Sequence, residues 1–139
     1  MTVRKTLREI DYDLPNGFHD AKLETVTLNF PSNRADLDLQ LSVGSPDDAT
    51  EEEREAYKWA RLHLTDLVYF VIDCPDPGRV HPEGEALWID AGDATDESLP
   101  AYLKPPIVLP AEAFAYWFYV HQWNAHFHVA AKGASLEWI

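Results

Sequence analysis

Two groups of residues in this chain have the types and spacing to do chemistry. The first is Asp11-Tyr12-Asp13-Leu14-Pro15-Asn16-Gly17-Phe18-His19-Asp20, which puts nearby acids, an Asn-Gly pair and a His-Asp pair in one short stretch. It fails as a calcium loop. An EF-hand needs oxygen ligands at positions 1, 3 and 5 with glycine at 6, and here Pro15 stands at 5 and Gly17 at 7. As an acid–base pair, His19 beside Asp20 is weak, because neighbours in an extended chain point to opposite faces. The plainer reading is a turn at Asn16-Gly17, with His19 or Asp20 bonding the loop backbone. Asn16, His19 and Asp20 are therefore binding candidates.

The second group is Trp123-Asn124-Ala125-His126-Phe127-His128-Val129. Two histidines at i and i+2 on a strand project from one side, with Phe127 and Val129 facing the core. His126 and His128 are candidate metal ligands if a third ligand comes from His121, His63 or an acid. The competing reading is a solvated polar face in a chain that has six histidines in all. Trp123 and Asn124 join the binding candidates. Asp90, Asp93 and Asp96 recur every third residue around Gly92, which fits a weak hard-cation loop or a solvated acidic turn. Cys74 sits beside Pro75 with no adjacent base. As the single cysteine it excludes an intramolecular disulfide and a multi-cysteine zinc cage, and it fits a reducing cytoplasm.

The stretches Asn16-Gly17-Phe18-His19-Asp20-Ala21 and Trp123 to Val129 resemble a group of small uncharacterised bacterial proteins with an NGFHDA-like opening and a WN-containing C-terminal strand. The resemblance implies a β-rich domain and no catalytic residues, since no activity is attached to that group.

The elements that must carry these residues are read from periodicity. Leu37, Leu39, Leu41 and Val43 alternate with Asp36, Asp38, Gln40 and Ser42, the pattern of a half-buried strand. Lys22 to Phe30 alternates less cleanly, and the Pro31-Ser32-Asn33-Arg34 turn joins the two as a hairpin. Met1 to Ile10 alternates charge and apolarity and is a basic strand candidate, through Arg4, Lys5 and Arg8. Gly44 to Glu55 is an acidic insert, either mobile or holding a short helix from Thr50 with Glu53 as its capping partner. Tyr57 to Asp73 reads as two strands punctuated at Thr65-Asp66, with a helix as the competitor. Glu85 to Ala91 is a short strand, and Ala113 to Val120 a strand or helix. Asn124 to Ala130 and Ser135 to Ile139 read as strands around a Lys132-Gly133 turn. The fold expected for residues 1–139 is one mainly β domain. It would be an antiparallel sandwich or open barrel of about seven or eight short strands, with at most one or two short helices.

Charge bounds the function. Eleven Lys and Arg against twenty-four Asp and Glu leave a net charge of −13. Such a surface repels nucleic acid and anionic membranes, and no apolar run is long enough to span a bilayer. No phosphate-binding glycine loop, nucleophile elbow or HExxH is present, which argues against the common enzyme classes. No cofactor is implied. The leading expectation is a non-enzymatic cytoplasmic binding module, of immunity or inhibitor type, for a basic protein partner. Exposed tryptophans such as Trp59 or Trp123 would serve it as anchors. The alternatives are a metal-binding or small hydrolase-like domain using histidine and aspartate, and a self-associating domain built on the aromatic C-terminal strands.

Overall fold

The computed structural model describes residues 5–79 and 83–139. In chain order the elements are helix α1 (Leu7–Asp13), strands β1 (Ala21–Asn29) and β2 (Arg34–Ser42), helix α2 (Glu51–Arg54), strands β3 (Tyr57–Ile72) and β4 (Leu87–Asp93), a 3-10 turn (Ala101–Leu103), and strands β5 (Phe114–Val120) and β6 (Ala125–Trp138). The six strands close into an antiparallel barrel in the order β1-β2-β3-β6-β5-β4. Closure, rather than a sandwich or an open barrel, removes most of the unpaired edges that an open sheet would leave.

Strand alternation decides which side chains fill the barrel. On β2 the buried residues are Ala35, Leu37, Leu39 and Leu41, while Asp36, Asp38 and Gln40 point outward. On β3 the inward set is Ala60, Leu62 and Leu64, and on β5 it is Phe114, Tyr116, Phe118 and Val120. Phe118 stacks on Phe127 of β6 with ring centroids 4.6 Å apart, and Phe18 meets Phe118 edge-on. Burying rings of this size supplies about 3–5 kcal/mol each against truncation to alanine.

The strand count fell from seven or eight to six because two pairs of expected strands are each continuous. Tyr57–Ile72 is one strand bent by a bulge between Leu67 and Tyr69, with Asp66 at φ 52° just before it. An added residue there bends the strand and increases its twist without ending it. Lys132-Gly133 is not a turn either, for β6 runs through it with Gly133 opposite Thr65.

The N-terminal strand candidate is a helix. Thr6 caps α1, its hydroxyl accepting from the Glu9 amide at 3.1 Å, while the Glu9 carboxylate accepts from the Thr6 amide at 3.1 Å. This reciprocal cap stabilises a seven-residue helix by about 1 kcal/mol, and Leu7 and Ile10, one helical turn apart, are buried. The part of the strand expectation that fell on residues 1–4 lies outside the described residues. In the acidic insert the short helix forms as α2, with the Thr50 hydroxyl accepting from the Glu53 amide at 3.1 Å. No helix among the described residues is long and apolar enough to cross a membrane.

Candidate functional site

The sequence candidates divide into residues that brace loops and residues that meet on the outer wall. Asn16 and Asn124 are braces. The Asn16 amide donates to the Ser42 carbonyl at 3.1 Å and the Gly44 carbonyl at 2.8 Å, fastening the α1–β1 turn to the end of β2. Asn124 adopts φ 46° in the β5–β6 turn, where its side-chain oxygen accepts from the Tyr119 hydroxyl at 2.6 Å. Trp123 packs half-buried against the main core, so it is not an exposed anchor. Trp59 is, with 45% of its surface open.

His19 and Asp20 do meet, contrary to the expectation from an extended chain. They lie in the turn before β1, where Asp20 takes φ 57° and its carboxylate comes within 3.3 Å of His19 Nε2. The stronger partner of His19 comes from across the fold. Asp90 points outward from β4 beside the buried Ile89, and its Oδ1 lies 2.6 Å from His19 Nδ1. The other oxygen of Asp90 lies 2.9 Å from His121 Nε2. One carboxylate therefore joins two imidazoles from opposite ends of the chain. The hydrogen bond that His19 donates to the Asp90 carboxylate raises the His19 pKa, and the Asp20 charge adds to it. Burial pushes the Asp90 carboxyl up, but its bonds to His19 and His121 outweigh burial and hold it below the usual aspartate range.

His126 and His128 sit on the same outer wall, two strands round from Asp90 and across β5. Their rings lie 6.0 Å apart and nearly parallel, as two outward residues of one strand should. Aromatic rings enclose His126: Tyr119 at 4.9 Å, Tyr102 at 5.7 Å and Trp117 at 6.1 Å between centroids. Burial lowers the His126 pKa, and the neighbouring His128 lowers it further against the pull of Asp73. His128 Nε2 lies 3.6 Å from the Asp73 carboxylate. Gly92, opposite Trp117 on β4, lets the indole lie flat across the strand, since a Cβ there would collide with the ring.

The third ligand expected for His126 and His128 is elsewhere. His63 lies between Asp36 at 2.6 Å and Glu137 at 2.8 Å, and His121 is bound to Asp90. Among the described residues, no group of three or more His, Cys, Asp or Glu side chains is arranged to hold a metal ion. Asp93 and Asp96 accept from the amides of Thr95 and Ser98, both at distances under 3 Å, as turn-forming aspartates do. Cys74 is exposed and unpaired.

Sequence reasoning missed the Asp90 bridge. Its only local signal is an acid at an outward position of a strand, and nothing in the sequence around Asp90 names His19 as its partner.

At the α1 end of the barrel, a cleft of about 510 Å³ is lined by Arg8, Asp11, Tyr12, Asp93, Asp96 and Tyr116. The Tyr116 hydroxyl donates to Asp11 at 2.8 Å, and burial together with that acceptor keeps the phenol protonated far above the usual tyrosine pKa. Asp11 also accepts from the Phe18 amide at 2.9 Å, so its carboxylate fastens α1 to β5 and to the turn before β1. No family model, curated protein or solved structure matches this chain.

Proposed function

We propose that this protein is a non-enzymatic cytoplasmic binding module, of immunity or inhibitor type, that captures a basic protein partner. One observation supports the reading. β2 and β4 both run antiparallel to β1, so the β2–β3 and β4–β5 loops leave the barrel at the same end, where α1 leads into β1. The first loop carries Asp47, Asp48, Glu51, Glu52, Glu53 and Glu55 beside Arg54, and the second, which follows Asp93 at the end of β4, carries Asp96, Glu97 and Glu112 with Lys104. Two acidic segments far apart in sequence thus share one end, where their fields add and steer a cationic surface toward it. Asn16 ties the base of the first loop to the barrel, and Val43 N donates to Ala56 O at 2.9 Å across its neck. The loop is presented on a fixed stem.

The test is capture of the partner and measurement of its association rate against salt. The rate is expected to fall about tenfold or more between low and physiological ionic strength. Replacing Asp47, Glu52 and Glu55 by lysine should lower it further, with the thermal midpoint unchanged. A non-basic partner, or a rate indifferent to salt and to these substitutions, refutes the proposal.

The bridging of His19 and His121 by Asp90 favours a second reading, a small hydrolase-like domain in which histidine and aspartate move a proton. Assay of the purified protein against a panel of esters and phosphoesters decides it. Hydrolysis that Asp90→Asn abolishes supports this reading, and no turnover of any of them removes it.

A further inference from the structure

We infer that the far half of β3 is a docking edge for an extended, basic segment of a partner protein, which would add to the barrel as a further strand. The inference is independent of the acidic end, because this edge lies at the opposite end of the barrel. β2 pairs with β3 only from Tyr57 to Thr65, whereas β6 pairs with it as far as Ile72. Beyond the Asn33–Leu67 contact, among the described residues, the side of β3 that faces β2 has no strand beside it.

The hydrogen-bond phase says which groups wait there. Asp73 N donates to His126 O at 3.0 Å, so in the running register Val71 and Tyr69 also turn their backbone groups to β6. Alternation then points the N–H and C=O of Phe70 and Ile72 to the vacant side. A groove of about 200 Å³ lies beside this edge, between the tip of the β1–β2 hairpin and the bulge. Its lining includes Leu28, Phe30, Leu67 and Phe70. Phe30 is 84% exposed and Ile72 52% exposed. An edge with unpaired backbone groups and open apolar side chains beside it is the arrangement that strand addition uses.

Charge selects the occupant. The segment from Asp66 to Asp76 holds three aspartates and no Lys or Arg. Arg34, the one cation lining the groove, is turned to Asp36 at 3.0 Å. A strand of β-branched residues with lysine or arginine at its ends would pair with Phe70 and Ile72 and set a cation against Asp73. A second copy of this chain fits worse. Antiparallel pairing about Val71 exchanges the outward groups of Phe70 and Ile72 between the copies, but it puts Asp66 opposite Asp76, and like charges opposite one another destabilise strand pairing.

The experiment is amide exchange by NMR on the full chain with the capped peptide Lys-Val-Thr-Val-Thr-Val-Lys, against the same peptide with Glu at both ends. The lysine peptide should slow exchange of the Phe70 and Ile72 amides about tenfold or more at saturation, and the glutamate peptide should leave them unchanged. Ile72→Pro removes an outward donor and no bond to β6, and should weaken the slowing of exchange at the Phe70 amide. If that variant does not fold, Asp73→Lys serves, and should shift the preference toward the glutamate peptide. No change at Phe70 and Ile72, or an equal response to both peptides, overturns the inference. Protection that rises with protein concentration alone also overturns it, in favour of a second copy.

Discussion

The two histidine groups on the outer wall are built from the same side chain and put to opposite electrostatic use. At Asp90, His19 and His121 share a half-buried carboxylate at the surface, and the fold favours the protonated His19 ring. At β6, His126 is enclosed by Tyr102, Trp117 and Tyr119 with a second imidazole beside it, and the fold favours the neutral ring. The groups are joined through Tyr119, whose ring lies 5.0 Å from His121 and 4.9 Å from His126. What differs is the shell: a carboxylate and water in one, aromatic surface in the other. Burial and a like charge push one way, an anion the other.

The largest effect on this contrast is expected from Gly92→Ala. The new methyl displaces the Trp117 indole, costing about 1–3 kcal/mol by overpacking and opening the wall of His126. A lower thermal midpoint should accompany a His126 pKa that returns toward the ordinary histidine value, read by NMR titration, while His19 is unmoved. If His126 stays depressed with Trp117 displaced, the aromatic shell is not what lowers it.

Asp90→Asn should act on the other group alone. Removing the carboxylate charge lowers the His19 pKa toward its ordinary value and leaves His126 where it was. Because His19 is 72% exposed, the stability loss should stay below about 1 kcal/mol. An unchanged His19 titration would show that Asp20 alone sets it.

The smallest effect is the pH dependence of stability, and its sign differs between the groups. His19 has a raised folded pKa, so its contribution is complete below the ordinary histidine value and is lost as pH rises through the raised one. His126 has a lowered folded pKa, so its contribution is present above the ordinary value and is lost as pH falls through the lowered one. Acidifying through this window strengthens the first group and weakens the second. Thermal midpoints measured across it should fall more steeply toward acid in Asp90→Asn and less steeply in His126→Phe than in the parent protein.

Legibility in the sequence followed the range of the interaction. The alternation of Leu37 to Val43 is a local signal, and β2 matches it because one face meets the core and the other meets water. The hairpin before it was equally legible from Pro31-Ser32-Asn33-Arg34. The Thr6–Glu9 cap with Leu7 and Ile10 was also on the page, but the charge–apolar alternation of the same residues hid it. The splits at Thr65-Asp66 and Lys132-Gly133 came from turn-forming residues that a long, twisted strand absorbs with one bulge and a glycine.

By itself the sequence determined the β character, the inward and outward faces of β2 and of the His126–Val129 stretch of β6, and the acidic composition, because each is set by side-chain type at a fixed local period. Only the tertiary structure decided that the barrel closes, that the two acidic loops share an end, that Asp90 gathers His19 and His121, and that β3 outruns β2. Each of those depends on which strand lies beside which, and on relative length and register. Those are decided by cross-strand hydrogen bonds and core packing between residues distant in the chain, and no local pattern encodes them.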